Sequence, residues 1–263
     1  MEESRQITIH TPDDYEGMRK AGRLAAEVLD MIGEYVQPNI TTQELNDICH
    51  DMIVGVGAIP APLNYRGFPR SICTSVNHVV CHGIPSGLKL KDGDIVNIDV
   101  TVIVDGWHGD TSRMYWAGNP PIKAKRLTQV TYDAMMLGIE QVRAGARVSD
   151  IGMAIQEYAE KHGYSVVRDY CGHGIGKVFH TAPSVLHYYE EGHSPVLQEG
   201  MFFTVEPMIN IGGYPTILNK YDGWTVTTRD KSLSAQFEHT IGVTANGYEI
   251  FTSSPRGLNC PPY

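Results

Sequence analysis

The chain lacks a Cys-x-x-Cys pair, so a cysteine-built zinc site is not expected. It has five cysteines, at positions 49, 73, 81, 171 and 260, an odd and scattered set that suits a reducing compartment rather than a disulfide framework. No window approaches the ~18 consecutive apolar residues of a membrane span, and the first residues, MEESRQITIH, are too charged for a secretory signal. Basic charge is scarce as well. The formal net charge of −9 argues against general or sequence-specific nucleic-acid binding. No His-Glu-x-x-His occurs, so a helix-borne zinc site of that kind is not implied. What remains is a 263-residue chain with an ordinary 42% hydrophobic content, enough for one large domain or two fused smaller ones. The expectation is a globular cytoplasmic protein.

The densest signal is residues 95–110, IVNIDVTVIVDGWHGD. The run is β-branched, and Asp105-Gly106 is a strong two-residue turn signal. With that turn Val104 faces Trp107, Thr101 faces Asp110 and Asp99 faces Ser112. Asp99 and Asp110 then become diagonal neighbours on one face of a hairpin, roughly 7–8 Å apart along the backbone. Two bare carboxylates that close repel, and one keeps its proton unless a cation lies between them. The hairpin reads as half of a metal site.

Elsewhere the pattern predicts a loose arm over the first ten residues. A helix over 15–35 follows, capped at Thr11, and another over about 42–54 opens with the box Thr41-x-x-Glu44. A Pro/Gly-punctuated loop covers 59–69, and strands cover 71–80 and 95–115. A helix over about 122–143 and a second one, capped by Ser149 and ended by Gly163, come next. Strand and loop follow to 251. The order repeats. Val36, Glu44 and Leu45 match Val142, Asp150 and Ile151 at a shift of 106. LKDGDIVNID (90–99) echoes LQEGMFFTVE (197–206) at a shift of 107, which places Asp99 on Glu206. So long a period indicates two fused half-domains, not an array.

A lone acid or histidine is more often a surface or satisfied residue than a ligand. Here the candidates come as a set. Glu206 ends an apolar strand, and Gln236, Glu238 and Thr240 share one face of another. His82 and His173 sit in His-Gly-Ile loops, where glycine lets the backbone approach closely. His180 is a third candidate histidine. Four carboxylates and one imidazole carry too much negative charge for one divalent ion and suit two, ~3.5–4 Å apart. Mostly oxygen ligands favour Mn(II), Fe(II) or Co(II), with Zn(II) also compatible. Such a pair would activate water for amide or ester hydrolysis.

NIDVTVIVDGWHGDTSRM, CHGIP, CGHGIGKVFH, FFTVEP and SAQFEHT together resemble the type I methionine aminopeptidases, over about residues 13–251. The resemblance implies an α+β pita-bread fold: two pseudo-symmetric halves, about 12–118 and 122–251 of a single catalytic domain spanning 1–263, with antiparallel sheet and outer helices around a central dinuclear metal site. It implies the metal ligands Asp99, Asp110, His173, Glu206 and Glu238, with Asp110 and Glu238 bridging the ions and Asp99 bidentate on one. His82 is implied near the substrate amine, His180 near the scissile carbonyl, and Glu206 as proton shuttle for a metal-bridged water. It further implies a methionine pocket of Tyr65, Phe68, Cys73, Phe179 and Trp224, and a monovalent cation near Asn77, Val79 and Ser234.

The implied activity is removal of the initiator methionine from nascent chains ahead of a small second residue, a step of protein maturation. The family's default state is a monomer, and ribosome contact is compatible with such a role. Pro62 and Arg66 depart from a cysteine and a histidine common in the family, and no zinc-finger extension or long helical insertion occurs. A proline-directed peptidase of the same fold and a non-catalytic pita-bread binding protein are the competing readings.

Overall fold

The computed structural model describes residues 6–192 and 194–263. Helix α1 spans Pro12–Ile32, with Pro12 in its first turn and the Thr11 N–H and hydroxyl donating to the Asp14 carboxylate at 2.8 and 2.9 Å. Helix α2 spans Thr42–Gly55 and opens with the reciprocal Thr41–Glu44 box. Strands β1 (Ile59–Pro60), β2 (Cys73–Val76), β3 (Val79–Cys81), β4 (Asp94–Val104) and β5 (Trp107–Ala117) follow. One edge of β4 pairs with β5 along its whole length, and the other with β2 and then β1.

The second half repeats the plan. It runs α3 (Ile122–Ile139), α4 (Val148–Lys161), β6 (Ser165–Val166), β7 (Gly172–Gly174), β8 (Thr181–Val185), β9 (Phe202–Val205), β10 (Met208–Asn210), β11 (Thr216–Leu218), β12 (Val226–Thr228), β13 (Ser234–Gln236), β14 (His239–Thr244) and β15 (Gly247–Ile250). Its main sheet has the order β15-β14-β9-β7-β8, all antiparallel. Two small sheets, β13-β10-β6 and β11-β12-β3, flank it.

The repeat is visible in the backbone. Thr41 bridges Lys89 ahead of α2, and Arg147 bridges Val196 ahead of α4. Thr42 N–H donates to Leu88 O and Val148 N–H to Pro195 O, both at 3.0 Å. Each half has its own core. Leu29, Ile32, Leu45 and Ile53 of α1 and α2 pack on Ile98, Val100 and Val102 of β4. Met135, Ile151 and Ile155 of α3 and α4 pack with Phe203, Phe237 and Ile241. The halves meet where Ser112 and Glu238 exchange backbone hydrogen bonds of 3.3 and 3.1 Å. Helices therefore lie outside, and the carboxylate-bearing strands meet in the middle.

Four expectations change. Residues 6–10 are not a loose arm: His10 N–H donates to Gly200 O at 2.7 Å, and its ring stacks on Phe202 at 4.1 Å; residues 1–5 lie outside the described residues. The α4 cap is Arg147, not Ser149, because Asp150 closes the first turn by accepting from Arg147 N–H at 2.8 Å. Helix α3 stops at Ile139, not 143, where tight turn bonds from Gln141 to Gly138 and from Val142 to Ile139 replace helical ones. The 71–80 strand breaks at Asn77, whose φ of 55° turns the chain between β2 and β3.

Candidate metal centre

Asp105 and Gly106 both have positive φ, 50° and 82°, the geometry of the tight hairpin turn that matches strand twist. The register is the expected one: Val104 opposes Trp107, Thr101 opposes Asp110 and Asp99 opposes Ser112. Asp99 and Asp110 consequently open onto one cleft of about 400 Å³. His173 enters it from β7, between glycines that let strands close up. A Cβ at Gly172 would lie 2.3 Å from Thr204 O, and one at Gly174 2.0 Å from Ala182 O. His82, which lines the same cleft, holds a left-handed φ of 54°, and Gly83 next to it leaves no room for a Cβ, which would sit 2.1 Å from Thr74 O. Glu206 follows β9 immediately before Pro207, and Glu238 lies between β13 and β14 opposite Ser112.

All five expected ligands, Asp99, Asp110, His173, Glu206 and Glu238, line this cleft. Donor atoms of Asp110, His173 and Glu238 lie within 4.8 Å of one another. His173 Nε2 is 3.6 Å from Asp110 Oδ2 and 3.7 Å from Glu206 Oε1. The other nitrogen, Nδ1, lies 3.1 Å from Gly174 O, so it carries a hydrogen and leaves Nε2 facing the acids, where a proton or a metal ion can be held.

Burial pushes the Asp99 and Glu238 carboxyls well above the usual range, and the neighbouring acids push them further. Burial raises Glu206 to about 7, with His173 opposing and Asp110 reinforcing. Burial alone would lower His173, but Asp110 and Glu206 outweigh it and raise it. Among the described residues, Arg66 at the mouth is the one Lys or Arg that lines the cleft. A buried knot of four acids and an imidazole lone pair, with no Lys or Arg among them, fits divalent cations, and the oxygen-rich donor set fits the metals named above.

The two other expected histidines are neutral near pH 7. Burial lowers His82 to about 4, and burial, with His173 the next cause, lowers His180 to about 2. His180 lies 4.1 Å from the His173 ring, and its Nδ1 is 3.0 Å from the Tyr65 hydroxyl. The expected pocket residues Tyr65, Phe68, Cys73, Phe179 and Trp224 line the same cleft. Phe68 meets Trp224 edge-on at 5.2 Å, and Tyr65 meets Phe179 at 4.9 Å. Aromatic faces and a thiol suit a polarisable thioether chain. The proposed monovalent-cation residues lie outside the cleft. Ser234 N–H donates to Asn77 O at 2.9 Å, the buried Ser234 hydroxyl has no protein partner, and Val79 pairs with Thr227.

Residues given no role from the sequence hold the acids in place. Thr101 Oγ1 donates to Asp110 at 2.7 Å. Thr204 Oγ1 donates to Glu206 Oε1 at 2.8 Å while accepting from His173 N–H at 3.0 Å. Gln236 Nε2 donates to Glu206 Oε2 at 3.2 Å, and His187 Nε2 accepts from Glu206 N–H at 3.0 Å. Strand alternation was the available signal: 99 and 101, 204 and 206, and 236 and 238 are two apart. Tyr170, against His82 at 5.6 Å, had no comparable signal.

Residues 16–245 match metallopeptidase family M24. A methionine aminopeptidase of Rickettsia prowazekii (strain Madrid E) is 70% identical, with 98% of this chain and 99% of the relative aligned. The methionine aminopeptidase of Escherichia coli (strain K12) is 56% identical over 94% of each chain. The crystal structure of methionine aminopeptidase from Rickettsia prowazekii superposes with a TM-score of 0.93, covering 94% of this chain and all of that one.

Proposed function

Because the chain belongs to the methionine aminopeptidases of metallopeptidase family M24, we propose that its cleft removes the N-terminal methionine of nascent proteins and peptides with two divalent ions held by Asp99, Asp110, His173, Glu206 and Glu238. Its fold is the family's pita-bread arrangement, and its activity is metal-dependent aminopeptidase hydrolysis. The observation that carries the detailed reading is the convergence of Asp110, His173 and Glu238 donor atoms within 4.8 Å, in the cleft that Asp99 and Glu206 also line.

When bound, two such ions would lower the pKa of a water between them and polarise the scissile carbonyl. The chain's residues supply the rest. The aromatic walls and Cys73 take the methionine side chain and exclude water. His82 and His180, both neutral, are hydrogen-bonding partners for the substrate's amine and carbonyl. Glu206, gripped by Thr204 and Gln236, carries the proton to the departing amine. Four acids would leave a net charge near zero once two divalent ions bind, so Co(II), Mn(II), Fe(II) and Zn(II) all remain compatible. The partnerless Ser234 hydroxyl beside Asn77 and Val79 supports a monovalent cation there.

We read residues 1–263 as one catalytic domain with halves at about 12–118 and 122–251, acting as a monomer. Five free thiols support the cytoplasm as its place of work, where ribosome contact would give access to nascent chains. No described helix is long and apolar enough to cross a membrane.

The test is release of methionine from Met-Ala-Ser with Mn(II), Fe(II) or Co(II) supplied, against release of Xaa from Xaa-Pro peptides. Methionine release alone is expected. Asp99→Ala and Glu238→Ala should each abolish both turnover and metal loading, and near-normal activity in either would defeat the two-metal reading. His82→Ala should lower turnover far more than metal binding; unchanged turnover would remove its assigned role.

A further inference from the structure

We propose that the segment 252–263 is a strap that positions the two halves of the metal centre against each other, with Ser254 and the buried Asp30–Arg113 pair as its positioning residues. The inference rests on the two-metal reading of the cleft. The first half supplies Asp99 and Asp110, and the second supplies His173, Glu206 and Glu238. A site assembled from two halves is only as precise as the joint between them. That joint runs along β5. Ser112 N–H donates to Glu238 O at 3.3 Å, Glu238 N–H donates to Ser112 O at 3.1 Å, and the Thr111 hydroxyl donates to Glu238 O at 2.7 Å. Arg113 is the next residue of the strand. Alternation turns it away from the face of Asp110 and Ser112, toward Asp30 of α1.

Arg113 Nη1 donates to Asp30 Oδ1 at 2.5 Å, and both side chains are buried. Nη2 has no hydrogen-bond partner among the described residues, so the grip of Asp30 carries the pairing. The strap controls that grip. The Ser254 hydroxyl donates to the other Asp30 oxygen at 2.8 Å, while accepting from Arg256 N–H at 3.1 Å and Leu258 N–H at 2.9 Å. Farther on, the Tyr263 ring centre lies 5.6 Å from the Arg113 guanidinium carbon. The start of the strap is tied to the second half instead. Thr240, two residues after Glu238, donates its N–H to Thr252 Oγ1 at 3.1 Å and its hydroxyl to Asp110 O at 2.7 Å. One segment thus joins the strand that follows Glu238 to the helix and strand behind Asp110. A buried ion pair adds little stability over an apolar pair of the same shape; what it adds here is direction. Halves already in register present their ligands at once. Loosened halves must be drawn together by the ions, which uses part of the binding energy.

The experiment measures Mn(II) affinity of chelator-stripped protein by titration calorimetry, for wild type, Ser254→Ala, Asp30→Asn and Ile53→Val. Ile53 lies in the core that α2 shares with the first half, so its variant lowers Tm without touching the strap. Ser254→Ala and Asp30→Asn should each weaken Mn(II) binding at least about five-fold, the lower end of ordinary coupling between separate sites. Ile53→Val should leave it unchanged. Saturating Mn(II) should return kcat of Ser254→Ala on Met-Ala-Ser to near the wild-type value, with KM unaltered. Coupling is reciprocal, so metal must also tighten the strap. In stripped wild type, Mn(II) should slow amide hydrogen exchange over 252–258 more than at the turns of Gly57 and Gly163, which end α2 and α4. Should Ser254→Ala not fold, the wild-type exchange decides alone. Unchanged Mn(II) affinity in Ser254→Ala, an equal loss in Ile53→Val, or exchange over 252–258 indifferent to metal would overturn the assignment. Wild type that binds Mn(II) and releases methionine while Ser254→Ala binds metal equally well defeats only this inference. Wild type that does neither defeats the reading beneath it.

Discussion

At the scale of single residues, the centre divides by how its acids are held. Glu206 has hydrogen bonds from Thr204 to one oxygen and from Gln236 to the other, and its own N–H is taken by His187. Thr204 also accepts from the His173 backbone, so one hydroxyl positions two neighbouring residues of the proposed ligand set at once. Groups that orient metal ligands commonly matter about 10- to 100-fold in affinity or activity. Thr204→Val keeps the shape and removes the hydroxyl. It should weaken metal binding by that order, read by titration calorimetry of chelator-stripped protein, with kcat falling more than KM rises. Thr204→Ser should restore both; a Ser variant as poor as Val would mean that the methyl group's packing is what counts.

Elements show what the sequence made legible and what it hid. The β4–β5 hairpin was readable to the residue, because Asp105-Gly106 demands positive φ and alternation does the rest. The Thr41–Glu44 box was equally readable. The start of α4 was not, since Arg147 is a poor cap by type and Asp150 acts from inside the first turn. Most of the short strands between 164 and 251 could not be delimited within that strand-and-loop stretch, because runs of three residues carry too little periodicity. Long-range docking was invisible too. Gly109 in β5 reads as an ordinary strand glycine, yet a Cβ there would lie 2.3 Å from the Ala21 backbone of α1. Gly109→Ala must push that helix off the hairpin that carries Asp110. A loss of about 1–3 kcal/mol is expected, seen as a Tm lower by roughly 2–4 °C per kcal/mol. An unshifted melting curve would show that α1 can yield freely.

On the scale of the whole molecule, the duplicated backbone bridges Thr41–Lys89 and Arg147–Val196 tie the start of α2 and of α4 to the segments that lead into β4 and β9, and the two halves bring their acids together in the middle. That gathering has a cost when no metal is bound, and pH exposes it. Asp99, Glu206 and Glu238 have folded pKa values raised above their ordinary ones, Glu206 from 4.5 to about 7. The folded chain then holds protons that the unfolded chain has released, so stability falls as pH rises through that window. His173, also raised, acts in the same direction. Buried His82, His187 and His239, lowered to about 4, 3 and 3, act oppositely, because the unfolded chain binds protons that the folded one refuses. Their contribution still grows at half its full slope at the ordinary histidine value, about 6.5, and is essentially complete a pH unit above it. The two effects therefore compete up to about pH 7.5, the histidine effect fading from 6.5 upward while the well-raised Asp99 and Glu238 keep acting, with His173 beside them. Chelator-treated protein should melt at a lower temperature at pH 8 than at pH 6.5. Excess Mn(II) should erase that drop, because bound cations hold the acids ionised and the gain from metal grows with pH. Equal melting temperatures at the two pH values without metal would mean that the acids relax apart or admit water when the centre is empty, and that metal loading does not drive their convergence.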